Sequence, residues 1–121
     1  MDNKKQISAL NTQVAFTSAL LFSVSLTIYA TLGYKDLLLN PKTSKFSKKK
    51  LYDIGLLAAG ISLIVTIYFF IISYERYEEN SNDENYNFYM ASTLSLLAQS
   101  IRTNTIIKYP YVENLESEDI I

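Results

Sequence analysis

Apolar positions in this chain come in long blocks, with the polar ones gathered between them. From Ile54 to Tyr74 there are 21 residues without a charge. A helix rises about 1.5 Å per residue, so this stretch covers roughly 30 Å, the thickness of a bilayer's hydrocarbon core. Gln6 to Tyr34 is a second uncharged run, of 29 residues. Both exceed the ~10–14 residues usual for a helix of a soluble domain. The pattern predicts membrane spans at about 12–34 and 51–74.

A third segment, 86–107, is less apolar. Its uncharged run from Asn85 to Ile101 is 17 residues, at the lower edge for a span. Met90, Leu94, Leu97 and Ile101 make an apolar stripe at helical spacing; Ser92, Ser95, Gln99 and Arg102 make a polar one on another face. Two placements fit, flat at the interface or crossing with the polar stripe turned to the other helices. An interfacial helix is usually lysine-rich on its polar face, and this face has one arginine, which favours crossing. The expected fold is therefore an all-α membrane protein with three transmembrane helices in a small antiparallel bundle, one domain over residues 1–121.

Smaller patterns predict how the helices meet. On the second span Gly55, Ala59, Ser62 and Thr66 form a stripe of small residues, which in membranes permits close helix packing. The first span has two hydroxyl rows, Ser23, Thr27 and Thr31 at steps of four, and Asn11, Ser18 and Ser25 at steps of seven. Ser and Thr can return a hydroxyl to a backbone carbonyl one turn back, so such rows are cheap in hydrocarbon. Packing against neighbours is the plainer reading of these rows; a wet lining, with Ser92, Ser95 and Gln99, is the other. Tyr52 at one end of the second span, and Tyr68, Phe69, Phe70, Tyr74 and Tyr77 at the other, match interfacial aromatic belts.

Charge sets direction. Loop 35–50 has six lysines and one aspartate, net +5, whereas 74–85 has five acids and one arginine, net -4. By the positive-inside rule the basic loop is cytoplasmic, which puts the N-terminus outside and the C-terminus inside; Lys4 and Lys5 oppose this weakly. Lys45, Lys48, Lys49 and Lys50 would then meet anionic headgroups, with no nucleic-acid role expected. The first uncharged run is too long for a signal-peptide core of roughly 7–15 residues, so a retained span is expected. Ser47 suits a helix N-cap, Asn40-Pro41 a turn, and Pro110 a helix stop before an acidic tail. Asp53 and Arg102 are the ionisable residues nearest the membrane core and are expected to lie close enough to pair.

Composition narrows the chemistry. The chain has no Cys and no His, which removes thiolate chemistry, disulfides, and the commonest general base and metal ligand. Its three glycines, at 33, 55 and 60, form no phosphate loop, and the acidic loop lacks an EF-hand pattern. No enzymatic activity, metal or cofactor is expected. Lysine well in excess of arginine, with abundant Ile, Asn and Tyr, is a usage common in AT-rich bacterial genomes.

The leading expectation is a small multi-pass membrane protein, a structural or regulatory subunit that packs against itself or a larger membrane protein. The alternative is a homo-oligomeric pore former. In size, in its N-out and C-in layout, in its hydroxyl-rich first span and in its charged tail the chain resembles the three-span phage holins. That resemblance is one of layout and implies oligomeric pore formation; the acidic tail departs from the lysine-rich tails of many holins. A bacteriocin-type immunity or defence-associated membrane protein is a third reading, from size and spans alone.

Overall fold

A computed structural model describes residues 3–109 and consists there of three helices: α1 Asn3–Leu39, α2 Lys48–Glu79 and α3 Asp83–Lys108. The acidic tail, with Pro110 and Tyr111, lies outside the described residues. The helices overrun the uncharged stretches. α1 has 37 residues and α2 has 32, lengths of about 55 and 48 Å at ~1.5 Å per residue. Both are long and apolar enough to cross a membrane; the composition of α3 does not reach that standard.

The helix ends follow local chemistry. α1 stops at Leu39, and Asn40 donates its backbone N–H to the Asp36 carbonyl at 2.8 Å. The Asp36 carboxylate then organises the turn, accepting from Ser44 Oγ at 2.6 Å and Asn40 Nδ2 at 3.1 Å. Those hydrogen bonds, Ser44 first, hold its carboxyl below the usual carboxylate range. Ser47 caps α2 by accepting from Lys50 N–H. Asn82 caps α3, whose first turn carries Asp83 and Glu84 against the positive helix end.

α2 is the spine. α1 and α3 each pack along it, and they do not pack against each other. The expected small bundle is therefore an open layer rather than a closed three-helix cluster. α1–α2 and α2–α3 are antiparallel neighbours, so α1 and α3 run parallel on either side of α2.

The inside of this layer is not a hydrophobic core. Its buried residues are Ala30, Leu51, Ala58, Ala59 and Val65, with Gly33 and the polar Ser23, Ser73, Gln99 and Thr103. Large apolar side chains point outward instead, Leu21 at 68% exposure and Leu39 at 69% among them. A soluble domain distributes these the other way round.

The cross-contacts also fix levels. Ser23 meets Ala58 and Ser62, and Gln99 meets Ala59. Leu20, Val65 and Ser92 line one hollow together. The middles of the three uncharged stretches thus stand side by side, and the charges fall at the two ends of the layer. Lys35, Lys48, Lys49, Lys50, Arg102 and Lys108 gather toward one end, and Glu75, Glu78, Glu79, Asp83 and Glu84 toward the other.

Candidate functional site

The α1–α2 seam is tied at several depths. Near the basic end Gly33 is buried against the start of α2; a Cβ there would sit 2.5 Å from Leu51 Cδ2 and 3.1 Å from Phe46 Cδ1. Phe46 folds back to meet the edge of Tyr29, with Lys50 Nζ 5.6 Å over its ring. Midway, Ser23 Oγ lies 2.7 Å from the Ala58 carbonyl and 2.5 Å from Ser62 Oγ. One hydroxyl thereby joins both helices midway along the seam. Further on, Phe16 and Tyr68 stack at 3.9 Å.

The α2–α3 seam is built differently. At the acidic end Phe70, Tyr74 and Tyr77 of α2 surround Tyr89 of α3, with centroids 5.6–5.8 Å apart. Deeper in, Gln99 Nε2 reaches Thr103 Oγ1 at 3.2 Å and, at a long 3.5 Å, the Ala59 carbonyl.

Between the seams, on one side of the layer, α2 floors a groove with α1 and α3 as walls. One hollow, about 240 Å³, is lined by Thr27, Thr31 and Tyr34 of α1, Gly55, Ala59 and Ser62 of α2, and Gln99, Arg102 and Ile106 of α3. A second hollow, about 270 Å³, continues it toward the acidic end between Leu20, Thr66, Phe69, Phe88, Ser92 and Ser95.

Three of the four polar or small rows of the sequence therefore converge on one concavity, and the fourth, Asn11, Ser18 and Ser25, stands exposed outside it. Ser62, Thr66 and Ala59 lie where the seams meet the floor. Gly55 does not serve close packing, because nothing stands within 4 Å of a Cβ built there. Its missing side chain enlarges the hollow instead. The close approach belongs to Gly33, which hydropathy spacing gave no reason to single out, since its neighbours Leu51 and Phe46 lie beyond a turn.

On α3 the two stripes take opposite sides. Met90, Leu94, Leu97 and Ile101 point outward at 39%, 61%, 56% and 68% exposure, whereas Gln99 is 9% exposed between α2 and the groove. Thr103, also 9% exposed, was legible only as the residue one turn beyond Gln99.

The expected Asp53–Arg102 pair does not form. Asp53 lies two residues, about 200° of helix rotation, from Gly55, and so on the face of α2 away from the groove. It pairs with Lys49 one turn back at 3.2 Å, an exposed contact at side-chain exposures of 74% and 56%. Arg102 lines the groove and makes no ion pair with any described residue. Lys45, Lys48, Lys49 and Lys50 stand exposed at the same end of the layer.

Hydrogen bonding separates the walls. The hydroxyls of Thr27, Thr31 and Thr66 donate to carbonyls of their own helices at 2.8–3.1 Å. Ser92 and Ser95 make no hydrogen bond with any described residue, and Gln99 Oε1 accepts none. Apart from Tyr34 of the α1 wall, the unused polar capacity of the groove thus lies in one row along α3. Compared with known proteins, the chain matches no family model, no curated protein and no solved structure.

Proposed function

We propose that the protein is a three-span integral membrane subunit whose role is to assemble with another membrane helix through this groove. The observation that carries the reading is the inverted polarity of α3. Its apolar stripe faces out while Gln99 and Thr103 are buried, the arrangement expected when the surroundings are hydrocarbon. The shared level of the three uncharged stretches supports it, as does the collection of charge at the two ends. The basic loop is cytoplasmic in this reading and the 80–82 turn is outside. Packing is favoured over conduction because the Thr27 and Thr31 hydroxyls of the α1 wall donate to their own backbone, so free donors stand mainly on the α3 wall.

The chain has no cysteine, so single-cysteine probes are unambiguous. Lys45→Cys, Asn82→Cys and Lys108→Cys should be labelled with a membrane-impermeant maleimide in oriented vesicles. Crossing by α3 places Lys45→Cys and Lys108→Cys on one side and Asn82→Cys on the other. Lys108→Cys on the Asn82→Cys side would mean that α3 lies flat, and the reading would fail.

A further inference from the structure

We infer that the groove's occupant is α1 of a second copy of this chain, docked by its outer row Asn11, Ser18 and Ser25. The inference rests on the three-span reading and names its partner. Two surfaces on one chain match.

The first is the α3 wall, where Ser92, Gln99 and Ile106 recur every seven residues along the groove. Ser92 makes no hydrogen bond with any described residue, and Gln99, though 9% exposed, lines the groove with an Oε1 that accepts from no described residue and is not wholly buried. Ser95 adds a second free hydroxyl. A lipid chain laid in the groove would leave all three unsatisfied, whereas a helix carrying polar groups at the same interval would not.

The second is the outward face of α1. Asn11, Ser18 and Ser25 stand there exposed at the same seven-residue interval, followed by Leu32 at 58% exposure. Ser25 donates to its own Leu21 carbonyl and keeps its acceptor capacity.

The levels agree as well. Ser23 is level with the middle of the 58–62 turn and Ala59 with Gln99. α1 and α3 run parallel, so a residue of α1 stands level with the residue about 75 positions later in α3. Ser18 is thus within about one residue, ~1.5 Å, of Ser92; Ser25 stands likewise to Gln99 and Leu32 to Ile106. Two copies in the same membrane orientation keep these levels. Polar groups then face polar groups at two depths and apolar faces apolar at the third. Gly55 leaves the floor open for the incoming backbone. Because the two surfaces differ, the contact is head-to-tail and each copy offers both halves, which builds a ring or a string rather than a closed pair.

Disulfide trapping in native membranes tests this. The double variant Ser18→Cys/Ser92→Cys should give a ladder of dimers, trimers and larger species on oxidation. Each single variant should give none, and the two single variants co-expressed should stop at dimers. Within one chain α1 and α3 do not pack together, so an intramolecular bond cannot replace the ladder. Gln99→Leu in the double variant should weaken association by about threefold, the worth of one intramembrane hydrogen bond. Three outcomes overturn the inference: no cross-link, a Ser92→Cys homodimer, or an adduct of Ser92→Cys with a different protein. The sidedness of Lys108→Cys reports on the span separately. A failed ladder with Lys108→Cys on the expected side rejects the docking alone.

Discussion

The two seams on either side of α2 use polar residues in opposite ways. Along α1–α2 the polar groups are spent inside the chain. Ser23 binds Ala58 and Ser62, Gly33 brings the backbones together, and the rings of Phe16 and Tyr68 stack. Along α2–α3 the tyrosine cluster at the acidic end does the joining, and the α3 row of Ser92, Ser95 and Gln99 keeps unused hydrogen-bonding capacity toward the groove. A hydroxyl in an apolar stretch therefore does not announce its role. What distinguishes the two seams is whether its partner lies within the same chain.

Substitutions can sharpen that contrast. Gly33→Ala should act most strongly. Its new methyl would meet fully buried Leu51 and also Phe46, and overpacking of that kind costs about 1–3 kcal/mol. Gly55→Ala, with open space around it, should leave the fold unchanged. Thermal unfolding of the two variants in one detergent would separate them; equal losses would mean that the α1–α2 approach is not close at Gly33.

Ser23→Ala should come next, at about 0.6–1.7 kcal/mol, the range found for hydrogen bonds between membrane helices. Ser25→Ala, whose hydroxyl returns only to Leu21 of its own helix, should barely change the stability of the single chain. Gln99→Leu should be smaller still for the single chain. It gives up the 3.2 Å bond to Thr103 on its own helix and only a long 3.5 Å contact across to Ala59. Its effect should appear in the association of copies, read by analytical ultracentrifugation or native mass measurement in detergent.

The smallest effect lies in the loop that starts the first seam. Asp36 has a lowered carboxyl pKa in the folded protein, chiefly through Ser44 and then Asn40. Its contribution is therefore present above the unfolded carboxylate value, about 3.9, and is lost as pH falls through the lower folded value. Amide exchange at Ser44 and Phe46, followed downward from pH 5, should show the turn loosening. Asp36→Asn should flatten that pH response.

The sequence carried the helices well and their arrangement less well. Uncharged length fixed α1 and α2, and Ser47 and the Asn40-Pro41 turn marked the ends that the structure shows. The groove residues Ala59, Ser62, Ser92, Ser95, Gln99 and Arg102 were all visible as rows at helical spacing. That the rows share one hollow was not visible, because it depends on the directions from which α1 and α3 approach α2. The Asp53–Arg102 expectation failed for the same reason. Depth along a helix can be read from sequence, but the face Asp53 presents depends on where the neighbours sit. Gly33 was missed because its partners, Leu51 and Phe46, become neighbours only once the 40–47 connection has turned back.

The polarity of α3 is the claim on which the rest depends, and a spin-label scan of positions 90–101 in bilayers tests it directly. With the helix crossing as proposed, collisions with oxygen peak at Met90, Leu94, Leu97 and Ile101. Collisions with a water-soluble nickel reagent stay low at Leu94 and at Ser95 alike. High nickel accessibility at Ser95 with low values at Leu94 would place α3 flat on the membrane surface, and high values at both would place it in water; either would contradict the three-span subunit.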